Sequence, residues 1–330
     1  MDKAATIFVA GARGLAGSAI VRALRAAGYE NLLLSSSKEL DLTLSERVRA
    51  FFEKERPDYV FDAAAKVGGI VANNTLPAEF IYINLAIQTN LIHESWRAGV
   101  KRLLFLGSNC IYPRDCPQPI KEEYLLTGPL EPTNRPYAIA KIAGLEMCWA
   151  YNRQYGTRFA APMPTNMYGP GDNYHPEHSH VISAFIRKFW EANRSGAISV
   201  TAWGTGTPKR EFLHADDMAA ACLHLMNLSD PAWDELFPLS RAPIVNLGTG
   251  QEWTIAELAE TVRRALGASA HIEWDRSKPD GTPRKVCDCS RILATGWRPR
   301  IALEDGIRAL IPELNERWRH SGPTPPSGQR

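Results

Sequence analysis

Residues 6–10, Thr-Ile-Phe-Val-Ala, form a short apolar run that breaks at Gly11, and glycines recur at Gly14 and Gly17 as a helical pattern begins. Glycine permits a tight turn and close approach of the backbone to a bound anion. The helix start behind it adds aligned N–H groups and a partial positive charge. Such a loop constrains the fold because it must join a buried strand to a helix that packs back over it. Further apolar runs at 31–35, 59–62, 102–106 and 158–163 alternate with helical patterns at 15–27, 43–54, 77–98 and 136–155. Thr43-Leu-Ser-Glu46 has the form of a capping box, Pro77 suits a first helical turn, and Gly28 and Gly99 stand where helices stop. Apolar strands interleaved with helices imply an α/β fold with a parallel sheet covered on both faces, a doubly wound sheet of Rossmann type.

After about residue 167 this rhythm loosens, and Pro, Gly and His collect between Tyr168 and His180. Regular patterns return at 181–193, 216–227 and 254–266, the last opened by Thr254-Ile-Ala-Glu257, a second capping box. The expected organisation is a dinucleotide-binding domain over residues 1–167 and a smaller α/β substrate-binding domain over 168–320. Segments around 211–248 are expected to return to the first domain. The stretch 321–330, rich in Pro and Gly, is expected to be flexible. The 38 Lys and Arg against 36 Asp and Glu leave a formal charge of +2, which argues against general nucleic-acid binding but not against a local anion pocket. No apolar run approaches the roughly 20 residues of a membrane span. No signal-peptide layout precedes the first strand, so a cytoplasmic protein is expected. The cysteines at 110, 116, 148, 222, 287 and 289 contain no C-x-x-C pair and read as reduced, mostly core residues.

The nucleotide is read from the end of the second strand. An NAD site usually places Asp or Glu there for the ribose 2′-hydroxyl, whereas Leu34-Ser-Ser-Ser-Lys38 holds no acid before Glu39. Hydroxyls with Arg13 and Lys38, and no opposing carboxylate, suit a 2′-phosphate and therefore NADP. Tyr137 and Lys141 stand four apart on one helix face, where an ammonium favours phenolate and makes Tyr a better proton donor and acceptor. Ser108 follows the fourth strand, at the carboxyl edge where open α/β sheets bind ligands. His175, His178 and His180 could suggest a metal, but no Cys or second acid completes the group, so none is expected.

These features resemble the extended short-chain dehydrogenase/reductase family. Longer strings narrow the likeness: 63–74 (AAAKVGGIVANN), 110–113 (CIYP), 131–134 (EPTN), 136–144 (PYAIAKIAG), 163–166 (MPTN), 210–214 (REFLH) and 277–281 (SKPDG) resemble the GDP-L-fucose synthases of that family. The resemblance implies C3 and C5 epimerisation of GDP-4-keto-6-deoxy-D-mannose, then reduction of its C4 ketone by NADPH. Cys110 would be the base and His180 the acid of epimerisation. Ser108 and Tyr137 would hold the C4 oxygen, Tyr137 would protonate it, and Lys141 would bind the nicotinamide ribose. The cofactor positions would be Gly11, Ala12, Arg13, Gly14, Leu15, Ala16 and Gly17; Ser37, Lys38, Asp41 and Leu42; Leu106, Gly107 and Lys141; and Pro164, Thr165, Asn166, Met167 and His180. Lys188, Trp203, Arg210 and Asp280 would bind substrate, with Lys285 a further basic candidate. A homodimer pairing helices 77–98 and 136–155 across a two-fold axis is also implied.

Four positions depart from the family pattern. Asn109 replaces a second Ser, Ala12 stands where His is common, and Ser35 and Ser37 stand where some members carry Arg. The alternative is another nucleotide-sugar epimerase or reductase of the same family.

Overall fold

The computed structural model describes residues 1–176, 179–278 and 280–319. His178 and the stretch 321–330 lie outside the described residues. Strands β1 (Ile7–Ala10), β2 (Leu32–Leu33), β3 (Tyr59–Asp62), β4 (Arg102–Phe105) and β5 (Phe159–Pro164) come from the first half. They are followed by β6 (Asn166–Tyr168), β7 (Ser199–Trp203), β8 (Lys209–Arg210), β9 (Phe212–His214), β10 (Ile244–Leu247), β11 (Trp253–Thr254), β12 (His271–Asp275) and β13 (Arg284–Lys285). The main helices are α1 (Leu15–Ala26), α2 (Ser45–Glu55), α3 (Ile70–Thr75), α4 (Pro77–Arg97), α5 (Arg135–Tyr155), α6 (Val181–Ser195), α7 (Ala215–Met226), α8 (Asp230–Leu236) and α9 (Ile255–Ala265).

The main sheet has six strands in the order β10-β5-β4-β3-β1-β2, and every neighbouring pair is parallel. From β1 the chain crosses to β2 on one side and then to β3 on the other, so a crevice opens where β1 and β3 meet. Alternation of side chains along each strand builds two cores. Ile7, Val9, Phe61 and Leu104 meet Ile20 and Leu24 of α1 and Met218 and Leu225 of α7 on one face. Phe8, Val60, Leu103 and Phe105 meet Val48 and Phe52 of α2, Leu91 of α4 and Leu145 and Cys148 of α5 on the other. Cys287 and Cys289, two apart, enter the first core together.

Two prolines lie inside β5, which is flanked by β4 and β10 and is therefore not an edge. Their placement is selective. The N–H groups of Ala161 and Thr165 donate towards β10, while Pro162 and Pro164 face β4 and bring no donor. The β4–β5 register accordingly stops at Leu103↔Phe159 and Leu104↔Ala160, leaving only Gly107 N–H to Pro162 C=O beyond it, at 2.9 Å. The prolines thus end the β4–β5 ladder early, at the carboxyl ends of the two strands.

A smaller lobe centres on Ile182, Phe185 and Phe189 of α6 packed against Leu258 and Val262 of α9. The capping box at Thr254 is fully formed with Glu257. The one expected at Thr43 is not. There the helix starts at Ser45 behind Leu44, and the Thr43 hydroxyl donates to Asp41 Oδ1 at 2.7 Å. Asp41 two residues back competes for Thr43 more closely than the helix does. Strand β2 is also shorter than the apolar run, since residues 34–37 leave the sheet. Among the described residues no helix is long and apolar enough to cross a membrane.

Candidate active site

The glycine loop lies at the open end of β1. Gly11 has φ +75°, and a Cβ there would come within 2.7 Å of Ala63 C=O at the end of β3. A Cβ on Gly17 would lie 2.1 Å from Gly11 C=O, so α1 can approach its own loop only through glycine. Gly14 is the residue before α1, and its N–H donates to Gly11 C=O at 3.0 Å. Ala12, Leu15 and Ala16 pack on the first core beneath the loop.

Arg13 is exposed above the loop, but a carboxylate does oppose it: Glu39 Oε2 lies 3.8 Å away. Glu39 is tethered by Ser36, whose N–H and hydroxyl donate to it at 2.8 and 2.6 Å. The sequence separation of 26 residues hides a proximity that the β1–β2 pairing creates. Ser37 and Lys38 are exposed beside Glu39. Asp41 is held by Thr43, and the Leu42 carbonyl accepts from the Asn90 side chain at 2.9 Å.

The ends of β4 and β5 supply the opposite wall. Leu106 is buried, and a Cβ on Gly107 would strike the Met163 sulfur at 2.2 Å. Pro164, Thr165, Asn166 and Met167 run from β5 into β6, with Asn166 Nδ2 donating to Glu211 C=O at 2.9 Å. The buried Thr165 hydroxyl has no hydrogen-bond partner among the described residues. A glycine cradle on one side and an orphaned hydroxyl on the other fit a dinucleotide lying across the sheet's carboxyl edge.

Four of the expected catalytic residues converge at this edge. Ser108 precedes a 3-10 turn, Asn109–Ile111, and its Oγ accepts from Cys110 N–H at 3.2 Å. Tyr137, in the first turn of α5, is hydrogen-bonded to the Ser108 side chain and feels the charge of Cys110. Burial pushes the Tyr137 phenol well above its usual range. Lys141, one turn on, lies with Nζ 6.0 Å from the Tyr137 ring and donates to Leu106 C=O at 2.7 Å. Burial draws Lys141 down to about 8.

His180 is elsewhere on the rim. It is exposed immediately before α6 and interacts electrostatically with the buried Asp172 carboxylate, which Ser183 Oγ also supports. Lys285, read from sequence only as a basic candidate, reaches Cys110: its Nζ donates to Sγ at 3.7 Å. Arg210 is half-buried and senses both Cys110 and Asp280. Asp280 itself accepts from the Thr205 N–H and hydroxyl at 2.9 and 2.6 Å, bracing the turn after β7. Trp203, on that strand, is 62% exposed, and Lys188 Nζ donates to Thr201 C=O at 2.7 Å. Arg210 and Lys285 are therefore the cations brought to the thiol, with Asp280 beside Arg210.

One organising residue escaped the sequence reading. Glu211 is wholly buried, and its carboxylate accepts from Gly250 N–H at 2.6 Å and Cys287 N–H at 3.1 Å. It ties the segments bearing Arg210 and Lys285 to the main sheet. Its signals in sequence are an acid ahead of the apolar pair Phe212-Leu213 and its place in the string REFLH. Among the described residues no cluster of His, Cys, Asp or Glu is arranged to hold a metal.

Residues 7–235 match the Epimerase family, described as the NAD dependent epimerase/dehydratase family. The chain is 55% identical over 306 residues to GDP-L-fucose synthase 1 of Arabidopsis thaliana, covering 93% of this chain and 92% of that protein. It is 52% identical over 304 residues to the GDP-L-fucose synthase of Escherichia coli (strain K12), covering 91% and 94%. Among solved structures, a GDP-D-glycero-L-gluco-heptose synthase from Campylobacter jejuni, determined in the presence of NADPH, is 36% identical with a TM-score of 0.87, covering 96% of this chain and 99% of that one. The chain therefore belongs to the NAD dependent epimerase/dehydratase family and, within it, to the GDP-L-fucose synthases.

Proposed function

We propose that this protein converts GDP-4-keto-6-deoxy-D-mannose to GDP-L-fucose, epimerising C3 and C5 and then reducing C4 with NADPH. The observation that carries the reading is the placement of a thiol, Cys110, against the Ser108–Tyr137 pair at the open end of β4. A simple ketoreductase has no need of that thiol, whereas an epimerase needs a base beside the carbonyl-holding hydroxyls.

The C4 ketone acidifies the protons on C3 and C5. Cys110, as thiolate, removes each proton, and the Lys285 ammonium at its sulfur stabilises that charge. Ser108 and Tyr137 hold the C4 oxygen as negative charge develops there, and His180 returns a proton to the opposite face. The glycine loop and residues 164–167 would hold NADPH, which would supply the hydride for C4. Tyr137 then donates its proton to the C4 oxygen, and Lys141 stabilises the phenolate left behind. Lys188, Trp203, Arg210 and Asp280 form the region that receives the GDP moiety, the cations facing diphosphate and the indole offering a stacking face.

The use of NADP(H) is supported by the relative solved with NADPH and by Arg13 at the loop. We also propose a homodimer through α4 and α5. Its support is the two helices packed side by side with Tyr82, Ile139 and Tyr155 exposed on them. The cytoplasm is proposed as its compartment, a setting suited to six free cysteines.

The test is purified protein with GDP-4-keto-6-deoxy-D-mannose, following NADPH absorbance and assigning the sugar product by NMR. Formation of GDP-L-fucose supports the reading. A product reduced at C4 without inversion would replace it with a plain reductase.

A further inference from the structure

Asp62 closes β3 and is wholly buried, on the sheet face covered by α4 and α5. Its ladder partner is Phe105, so their side chains lie on the same face, and the Lys141 ammonium rests 4.4 Å above the Phe105 ring. The backbone links Asp62 and Lys141 more tightly still. Leu106 N–H donates to Asp62 C=O at 2.9 Å, and the next rung of this parallel ladder would be Ala64 N–H to Leu106 C=O. That rung is replaced by two side chains: Ala64 N–H donates to Asp62 Oδ1 at 3.1 Å, and Leu106 C=O accepts from Lys141 Nζ at 2.7 Å. The second carboxylate oxygen, Oδ2, is buried without a hydrogen bond among the described residues.

We propose that Asp62 is a positioning residue for Lys141, a buried counter-charge that keeps the lysine protonated and seated at the split end of the β3–β4 ladder. The proposal deepens the functional reading above and rests on its assignment of Lys141 beside Tyr137. A buried ammonium without a countercharge sheds its proton readily, and a buried carboxylate without one takes a proton up. Here each offsets the other: Asp62 draws Lys141 up against the larger effect of burial, and Lys141 draws Asp62 down, though burial still leaves Asp62 raised to about 6. The other titratable groups at this spot are Tyr137 and Cys148, both on α5 and both neutral at physiological pH. The flanking β1 contributes Ala10, β4 contributes Phe105, and α4 contributes the neutral Gln88, whose Nε2 donates to Ala140 C=O at 2.5 Å. Asp62 is thus the carboxylate that faces Lys141.

The test is the Lys141 titration in protein carrying 13C-labelled lysine side chains, assigned with Lys141→Arg. Asp62→Asn is expected to lower the Lys141 midpoint by about one pH unit or more. An unchanged midpoint overturns the proposal. The same pair is read from its other side, without altering Asp62, by the Asp62 carboxyl 13C signal. Its midpoint is expected to rise in Lys141→Met, and an unmoved signal overturns the proposal as well. Neither measurement needs substrate, so failure here is distinct from failure of the functional reading. In turnover, Asp62→Asn should move the alkaline limb of C4 reduction to lower pH while leaving solvent deuterium uptake at C3 and C5 unchanged. A parallel loss of both partial reactions would mark Asp62 as merely structural and sink the idea.

Discussion

At the residue scale, the site divides its labour between Cys110, whose backbone N–H donates to Ser108 Oγ, and Tyr137, whose phenol is hydrogen-bonded to the same serine. Cys110→Ser is expected to slow epimerisation by about 10²–10⁴-fold, the usual contribution of a positioned base, with a smaller loss in reduction of an already epimerised substrate. Tyr137→Phe should reverse that order. Separate assays of deuterium uptake and NADPH oxidation check both, and equal losses in Cys110→Ser would remove it as the specific base. The pH dependence follows from Lys141. Burial places it at about 8, so it is charged at neutral pH and loses its charge as pH rises through that value. The phenolate then loses its stabilising cation, and reduction should fall as pH rises above about 8. Glu39 offers a separate test. Its carboxylate sits against the cation that would meet a 2′-phosphate, so Glu39→Gln should raise the NADPH-over-NADH ratio of kcat/KM by about two- to fivefold. No change in that ratio would place Arg13 away from the phosphate.

At the element scale, the glycine loop shows why a turn can be read from sequence while its neighbours cannot. The strand, the three glycines and the start of α1 are local, and the residues that make them are consecutive. Gly17→Ala should abolish dinucleotide binding, measured by NADPH fluorescence, because a methyl group would lie 2.1 Å from Gly11 C=O and displace the loop. Ser108, Tyr137 and Lys141 were legible for a similar reason, each sitting at a strand end or on one helix face, whereas Cys110 stood out only through the family resemblance. Arg13 with Glu39, Cys110 with Lys285 and Asp62 with Lys141 were not, because pairing of distant segments makes them neighbours. Thr43 failed in another way. Its spacing to Glu46 has the right form, yet a nearer acceptor, Asp41, takes its hydroxyl.

At the scale of the whole molecule, α4 and α5 present aromatic and aliphatic side chains outward while their inner residues build the second core. If they pair two copies, Tyr82→Glu combined with Ile139→Glu should yield a monomer in sedimentation velocity while thermal unfolding remains cooperative. A dimer that survives both changes would move the contact to another face. The sheet carries a different consequence. Its last strand, β10, comes from residues 244–247, long after β5 beside which it lies. A ribosome that has made residues 1–167 has produced every expected cofactor contact except His180, yet β5 still lacks its outer neighbour. During synthesis that half of the enzyme is an unfinished surface with an open strand edge, prone to pair with a stranger. The smaller lobe is itself divided by this strand, α6 preceding β10 and α9 following it, so it cannot be exchanged as one continuous segment.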